Sequence, residues 1–198
     1  MILCVRHHLI FLYIVFIFMF FCSFAGAQNL KFEYRTGYFS PQESLLKQVY
    51  DKGWINSFEF GLTGNFGERH GLEVYVLGRS FSKSGNLTYT KEDTDLEILT
   101  WGIGARYKID VFRQIVFPYA GVGLNYNRFK EKNVLVKTTK YEIGYEIQGG
   151  VYLRPFRGIL NVLLLDFFVN YRSCAMNFDL RDLNIGGWTA GIGFGFEY

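Results

Sequence analysis

The sequence predicts an all-β protein, a single eight-stranded, antiparallel, up-and-down transmembrane β-barrel. Three observations lead to this prediction. Apolar residues alternate with small or polar ones along eight segments, the connections alternate between short and long, and aromatic residues cluster near the segment ends. A period of two places successive side chains on opposite faces of a strand. In a membrane barrel the apolar face contacts lipid and the polar face lines the interior.

The alternation is clearest in residues 186–198. One set of side chains, from Trp188 to Tyr198, is apolar, and the intervening set, from Thr189 to Glu197, is small or polar. The same pattern predicts eight strands in all, at residues 30–39, 57–66, 72–81, 99–109, 118–126, 142–154, 163–172 and 186–198. The third strand is less regular, because Leu77 and Phe81 fall on its polar side.

Aromatic residues mark both edges of the predicted membrane span. Those near strand ends are Trp101, Tyr107, Phe117, Tyr126, Tyr145, Tyr171, Trp188 and Tyr198. Outward aromatics at these positions are typical of the interfacial girdles of membrane barrels. In a water-soluble protein they would form an exposed belt that aggregates, so they favour a membrane location.

The connections predict an orientation. Those at 67–70, 110–114 and 155–158 are short, whereas those at 40–55, 82–95, 130–140 and 173–185 are long and mostly polar. Outer-membrane barrels have short periplasmic turns and longer external loops. Both chain termini are therefore expected on the periplasmic side.

A short helix is predicted in the first long loop. Ser40 is placed as its N-cap, Pro41 at the first helical position and Glu43 where a capping box needs a carboxylate. Apolar residues follow, and Gly53 is expected to end the helix. We expect this helix to cover the mouth of the barrel.

Residues 1–27 predict a cleaved secretory signal peptide. Arg6 and two histidines form a basic start, residues 9–21 are almost all apolar, and residues 25–27 are small. The apolar run is short for a membrane-spanning helix, which needs about 20 residues. The barrel domain is then 28–198, and it retains Cys174 alone, so an intrachain disulfide is excluded.

The strand sequences resemble a known family. PYAGVGLNY (118–126), YEIQGGVYL (145–153) and LLLDFFVNYR (163–172) are similar to strands of the small eight-stranded bacterial outer-membrane barrels of the outer-membrane protein A and W type. The closing GFGFEY resembles the C-terminal signal read by the barrel-assembly machinery, with Gly193, Phe196 and Tyr198 as its positions. The resemblance implies a porin-like fold in the outer membrane of a Gram-negative cell envelope, without implying one function.

The polar face carries more charge than packing needs. The predicted interior charge network consists of Glu33, Arg35, Glu59, Arg106, Glu142, Glu146, Arg154, Asp166 and Arg172, and Glu73, Arg79 and Lys108 share that face. An eight-stranded barrel is just wide enough inside for side chains, and an unpaired buried charge is costly. We therefore predict a salt-bridged, largely closed interior. A small gated pore for ions or small solutes is the alternative, since inward glycines leave room for water.

The residues favour a structural, adhesion or interaction role without catalysis. His70, the only histidine after signal removal, falls in a short turn on the periplasmic side. A lipid-modifying enzyme that uses histidine as its base at the outer rim is thereby disfavoured. A secreted lipocalin-like binder of small apolar ligands is a further alternative, but its lumen must be apolar rather than charged.

The predicted partners are outer-membrane lipid and lipopolysaccharide, the barrel-assembly machinery through the C-terminal strand, and an extracellular partner that the sequence does not identify. Lysines 130, 132, 137 and 140 are placed to meet lipopolysaccharide phosphates, although a solvated hairpin extension is the preferred explanation. Glu92, Asp93, Asp95 and Glu97 lack the spacing of a calcium loop, and no metal or cofactor is predicted. With 21 Lys and Arg against 18 Asp and Glu, nothing favours nucleic acid.

Overall fold

The computed structural model describes residues 29–66, 69–86, 93–112, 114–133, 137–156, 162–178 and 181–198. Its long strands are β1 (Asn29–Pro41), β2 (Gly53–Phe66), β3 (His70–Asn86), β4 (Asp93–Ile109), β5 (Val116–Asn133), β6 (Lys137–Leu153), β7 (Leu163–Ser173) and β10 (Gly187–Glu197). Between them lie helix α1 (Ser44–Tyr50) and the short strands β8 (Ala175–Phe178) and β9 (Arg181–Asn184). The predicted signal peptide, residues 1–27, lies outside the described residues.

The eight long strands form a closed antiparallel barrel in the order β1-β10-β7-β6-β5-β4-β3-β2. β1 closes the barrel against β10, in register from Lys31–Glu197 to Pro41–Gly187. β8 and β9 form a separate two-stranded sheet. The predicted eight-stranded barrel with one short helix is confirmed. In the described ranges, no helix has the length and apolar character needed to cross a membrane.

The two ends of the barrel differ. β1 begins and β10 ends at what we call the turn end, where the connections between β2 and β3, β4 and β5, and β6 and β7 also lie. Helix α1 and the β8–β9 hairpin lie at the opposite end, which we call the loop end. The hairpin occupies the predicted loop 173–185, whose residues show no alternation long enough to predict it.

Strands β3 to β6 extend further toward the loop end than predicted. β3 and β4 pair as far as Asn86–Asp93, and β5 and β6 pair as far as Lys132–Lys137. The predicted loops 82–95 and 130–140 are therefore mostly strand. Beyond the apolar belt both faces of a strand can be polar, so apolar alternation no longer reveals pairing that the backbone continues to make.

The capping box predicted for α1 is wrong. Ser40 and Pro41 are the last residues of β1 and pair with β10, and the N-cap is Glu43, which makes no side-chain capping bond. The helix ends at Tyr50 with Asp51 as its C-cap, whose φ is 52°, and Gly53 begins β2. Pairing with β10 outweighs the local capping signal, because helix propensity is weak beside tertiary context.

The wall of the barrel separates an apolar outer face from a mixed interior. Exposed outer side chains include Phe32, Phe58, Trp101, Ile103, Val122, Leu124, Ile143, Ile147, Phe167 and Phe194. One girdle residue was predicted wrongly. Phe117 lies on the inward set of β5 with Tyr119, and the Arg154 guanidinium is 5.0 Å from its ring centroid. The predicted strand began at Pro118, so its alternation did not include Phe117.

Candidate functional site

The centre of the barrel holds two fully buried arginines, Arg35 of β1 and Arg106 of β4. Arg35 donates to Glu33 at 3.0 Å and to Glu59 at 2.8 Å. Arg106 donates to the other oxygen of Glu59 and, at 2.9 Å, to Glu73. Glu59 therefore bridges two guanidiniums that come from strands on different sides of the lumen.

Two further charges complete this central charge network. Asp166 of β7 lies 2.7 Å from Nη2 of Arg35. Lys31 lies 3.0 Å from Glu33 and 2.7 Å from Glu73. An isolated buried charge costs several kcal/mol, so these groups are stable inside the barrel because each has a partner of opposite sign.

Tyrosines and a glutamine surround the arginines. Tyr152 accepts hydrogen bonds from both guanidiniums, at 3.0 and 2.9 Å, and its ring stacks on Tyr119 with centroids 4.4 Å apart. Gln148 Oε1 also accepts from both, at 3.0 Å each. The ring centroid of Tyr75 lies 3.9 Å from the guanidinium of Arg106, a cation–π contact.

Inward glycines give these rings room. A Cβ at Gly104 would lie 2.2 Å from the hydroxyl of Tyr75, and one at Gly150 would lie 2.6 Å from the hydroxyl of Tyr119. Both contacts are shorter than atoms tolerate. The space that these glycines leave is therefore filled by tyrosine side chains.

A separate ion pair lies at the turn end. Glu197, the last residue of β10, holds Lys108 at 2.5 Å and Arg154 at 2.6 Å. A cavity of about 230 Å³ opens beside it, lined in part by His70. The His70 ring stacks on Tyr107, and its Nδ1 lies 2.6 Å from the Tyr107 hydroxyl.

An apolar cap fills the loop end of the same lumen. Its members are Phe39, Leu46, Tyr50, Ile55, Phe81, Leu96, Ile98, Phe129, Cys174, Met176 and Ile185. Leu46 and Tyr50 come from α1 and Met176 from the hairpin, so both connections lie over the barrel and contribute to its closure. Phe81, whose polar-side position was irregular in the sequence, belongs to this cap.

Two titratable groups lie in the cap. Tyr50 donates to Glu131 at 2.5 Å and lies 2.9 Å from Thr94, and burial raises its pKa. Burial also raises the pKa of the Cys174 thiol to about 11. Both groups are therefore neutral at physiological pH.

The predicted charged residues occupy three levels of the barrel. Those in the central charge network are Glu33, Arg35, Glu59, Arg106 and Asp166. Glu146 pairs with Arg79 at 3.0 Å, nearer the loop end, and Arg154 belongs to the turn end. Arg172 donates to Thr100 at 3.2 Å.

Glu142 is half-buried and forms no salt bridge with the described residues. One of its oxygens accepts a hydrogen bond from the backbone N–H of the next residue, Ile143.

The alternation placed several further members of these levels on the polar face without assigning them to the charge network, namely Lys31, Tyr75, Tyr119, Gln148, Tyr152 and Glu197. A signal for Lys31 was present, because it lies two residues before Glu33 on the same face. In each strand the tyrosine belongs to the same alternating set of residues as the charged side chains. The alternation therefore placed them inward, but nothing in the sequence indicated that their hydroxyls and rings would contact the buried arginines.

The C-terminal positions predicted as an insertion signal lie on both faces of β10. Phe196 and Tyr198 are exposed on the outer face. Gly193 faces inward, where a Cβ would lie 2.5 Å from Glu33 Oε1. A side chain at position 193 would therefore force the Glu33 carboxylate in the central charge network to shift.

The outer face of β5 and β6 carries a column of basic residues near the loop end: Arg128, Lys130, Lys132 and Lys137, which we call the basic column. Glu97 of β4 pairs with Arg128 and, at 2.9 Å, with Lys130. Lys132 lies directly opposite Lys137. Just below, the rings of Tyr126 and Tyr141 stack at 5.9 Å. The fourth predicted lysine, Lys140, lies on the inward set of β6, and residues 134–136 are outside the described ranges.

The predicted acidic loop group is dispersed. Asp95 accepts from Ser84 at 2.7 Å, Glu97 pairs with the basic column, and Glu92 is outside the described residues. Within the part of the chain that the structure describes, no three histidine, cysteine or carboxylate side chains are grouped in a way that holds a metal ion.

Comparison with solved structures finds small barrels of the same architecture. Neisserial surface protein A is 15% identical, with a TM-score of 0.57 over 86% of this chain and 97% of that one. OprG from Pseudomonas aeruginosa is 15% identical, with a TM-score of 0.53 over 87% and 96%. Ail of Yersinia pestis, in complex with the heparin analogue sucrose octasulfate, is 14% identical, with a TM-score of 0.52 over 85% and 98%.

Sequence comparisons add nothing to this likeness. No protein-family model matches the chain, and no curated protein sequence matches it either. At such low identity a structural likeness is informative about the fold and not about activity. The chain has the fold of the small eight-stranded outer-membrane β-barrels.

Proposed function

We propose that this protein is a non-catalytic bacterial outer-membrane barrel with a closed interior, which acts as a structural or interaction protein at the cell surface. The observation that carries this proposal is the lumen. Side chains from opposite walls meet in the central charge network, and the apolar cap covers that network at the loop end. The outer wall is apolar and suits the hydrocarbon of a bilayer.

In the proposed orientation the loop end is external and both ends of the barrel sequence are periplasmic. The helix and the long hairpins at the loop end, against tighter connections at the turn end, support this arrangement. His70 is then periplasmic, which supports the absence of histidine-based catalysis at the outer rim. The exposed Phe196 and Tyr198 are the positions of β10 that we expect the barrel-assembly machinery to contact.

The test of location and closure combines three measurements on the mature protein. It should fractionate with the outer membrane, migrate differently in gels before and after boiling, and show no steady conductance in planar bilayers. Steady single-channel currents would contradict a closed interior and support the gated pore. Recovery in a soluble fraction would contradict a membrane location and support a secreted lipocalin-like barrel, which the charged lumen disfavours.

We further propose that the basic column binds lipopolysaccharide phosphates. Its side chains point outward just above stacked tyrosines, which is where lipid headgroups begin. Arginine and lysine bind phosphate through charge-assisted hydrogen bonds. The heparin analogue bound to Ail is likewise a polyanion on a barrel of this fold.

The test replaces all four residues of the basic column by glutamine. We expect weaker binding of purified lipopolysaccharide and a flatter dependence of that binding on salt, because exposed charge pairs are screened. The control replaces Lys47, Lys52 and Arg69, which are exposed elsewhere, by glutamine, and the loss is compared per positive charge removed, four against three. Equal loss of binding in the control would show that net charge, and not the basic column, governs the contact.

A further inference from the structure

A second polar layer lies between the central charge network and the apolar cap. Arg172 and Asn170 of β7 form its centre, with Thr189 of β10 and Asn125 of β5 beside them. All four side chains are at most 3% exposed. Within the described residues, several of their polar atoms have no hydrogen-bond partner: Arg172 Nε and Nη2, Asn170 Nδ2 and Oδ1, Asn125 Nδ2 and Thr189 Oγ1. Buried polar atoms are nearly always partnered, so this concentration of free polar atoms marks a place where a polar ligand can bind.

The same layer carries an uncompensated positive charge. Glu146 lies opposite Arg172 in the β6–β7 ladder, but its carboxylate binds Arg79 at 3.0 Å and accepts from Tyr75 at 3.1 Å. Arg172 donates from Nη1 to Thr100, and its guanidinium carbon lies 4.9 Å from the ring centroid of Phe39. A guanidinium does not release its proton in a protein.

Counting charges by level places the excess at Arg172. Toward the turn end, five cations (Lys31, Arg35, Arg106, Lys108, Arg154) face five carboxylates (Glu33, Glu59, Glu73, Asp166, Glu197). In the second layer, Arg79 and Arg172 share one fully buried carboxylate, Glu146, while Glu142 on the same face of β6 is only half-buried. An unpaired buried charge is strongly unfavourable, so a counter-ion is needed at this level.

The wall in front of Arg172 is short of side chains. Arg172 lies opposite Gly187 and Asn170 lies opposite Thr189. Gly191 and Gly37 follow on the same inward faces and lie opposite each other. These glycines add no side chain in front of Arg172, and on this side its guanidinium meets the ring of Phe39.

We propose that this layer is a buried binding site for one small monovalent anion of the halide class. Arg172 donates to it through Nε and Nη2, and Asn170 and Thr189 supply neutral donors. Chloride is the physiological member of the class. One monovalent anion balances the single excess charge, and its bound state closes the lumen immediately beneath the apolar cap.

The direct test is crystallography of the folded, full-length mature barrel with chloride replaced by bromide. We expect an anomalous scattering peak within hydrogen-bonding distance of the Arg172 guanidinium. Density that shows only water there overturns the proposal. So does a structure in which the Glu142 carboxylate has turned inward to pair with Arg172.

A solution test uses urea unfolding in detergent at constant ionic strength, with chloride exchanged for gluconate, which is too large for the layer. Above the dissociation constant, each tenfold rise in chloride should lower the unfolding constant about tenfold. Arg172→Met should lose this dependence, and the surface variant Arg128→Met should keep it. Asn170→Ala provides a second variant that should weaken it. A wild-type protein indifferent to chloride contradicts the site.

Discussion

The central charge network and the apolar cap share the same inward faces of the same strands, yet they have opposite chemistry. β1 passes from Arg35 in the network to Phe39 in the cap, and β4 passes from Ile98 in the cap to Arg106 in the network. The network depends on directional bonds between charges that each need a partner. The cap depends on apolar contact, which is non-directional and proportional to the buried area.

This difference teaches how a narrow barrel is closed at two depths. In the middle of the barrel, polar groups cross the lumen from wall to wall, and in the proposed closed state they block it. At the loop end, α1 and the hairpin are packed onto the barrel by the burial of apolar side chains. Such short segments gain little stability from intrinsic propensity alone. The two regions should therefore respond differently to substitution.

The largest effect is expected from Arg106→Met. It leaves Glu59 and Glu73 with fewer cations in a fully buried site. Removing one partner from a buried ion pair costs about 3–5 kcal/mol, because the other charge stays buried without compensation. Urea unfolding monitored by tryptophan fluorescence and by the heat-dependent gel shift measures this loss.

The control for that experiment is Arg128→Met, which removes a half-exposed arginine paired with Glu97. Exposed pairs contribute about 1 kcal/mol or less, so the control should be nearly neutral. Equal losses in the two variants would show that the central network does not stabilise the barrel through its ion pairs.

A somewhat smaller effect is expected from Phe81→Ala in the apolar cap. Phe81 is 1% exposed and packs edge-on against Phe39 with centroids 5.0 Å apart. Truncation of a buried phenylalanine costs about 3 kcal/mol or more where the cavity does not collapse. We expect faster hydrogen exchange in α1 but no conductance, because the network below still spans the lumen. Open channels in this variant would show that the cap, not the network, blocks the pore.

A moderate effect is expected where a methyl group enters the central network. At Gly193 an added Cβ would lie 2.5 Å from Glu33 Oε1 and 3.1 Å from the Cβ of Asp166. We expect Gly193→Ala to lower the free energy of unfolding by about 1–3 kcal/mol, the usual range for overpacking. Gly149→Ala is the matched control, since its Cβ would meet only Tyr119 O at 3.6 Å. A neutral Gly193→Ala would mean that the network shifts without strain.

The same contrast explains how much the sequence could predict. Wherever one face of a strand meets lipid and the other is polar, the period of two identified the strand, and all eight barrel strands were predicted this way. Charged residues on the polar face were placed inward correctly, as with Arg35 and Asp166. Their pairing was not predictable, because it depends on which strands face each other across the lumen.

The cap was missed for the same physical reason. Ile98 and Phe129 are apolar and inward, so at the loop end the polar-inside rule no longer holds. Both lie outside the predicted strands, and Phe81, which lies inside one, appeared as an irregularity. The capping box at Ser40 failed because a local signal competed with pairing to β10. The unpartnered donors around Arg172 have no sequence signal, since they follow from three-dimensional proximity alone.

The smallest effect on stability, and the finest probe of the cap, concerns Cys174. Burial raises the pKa of its thiol to about 11, so the thiol is favoured in the folded state. The contribution of this thiol to the free energy of unfolding is fully present below the unfolded-state pKa of about 8.5, and it is lost as the pH rises through about 11. Since the thiolate is the reactive species, alkylation by iodoacetamide at pH 8 should be about 100-fold slower than for an exposed cysteine.

The reference for this measurement is Lys47→Cys in a Cys174→Ser background, which places a cysteine on the exposed face of α1. We expect the rate at Cys174 to rise with pH up to about 11, whereas the rate at the reference cysteine levels off near pH 9. Phe81→Ala should bring the two rates together, because loosening the cap admits solvent to the thiol. Rapid alkylation of Cys174 in the wild-type protein at pH 8 would mean that the loop end opens readily, and that the barrel is closed by its central charge network alone.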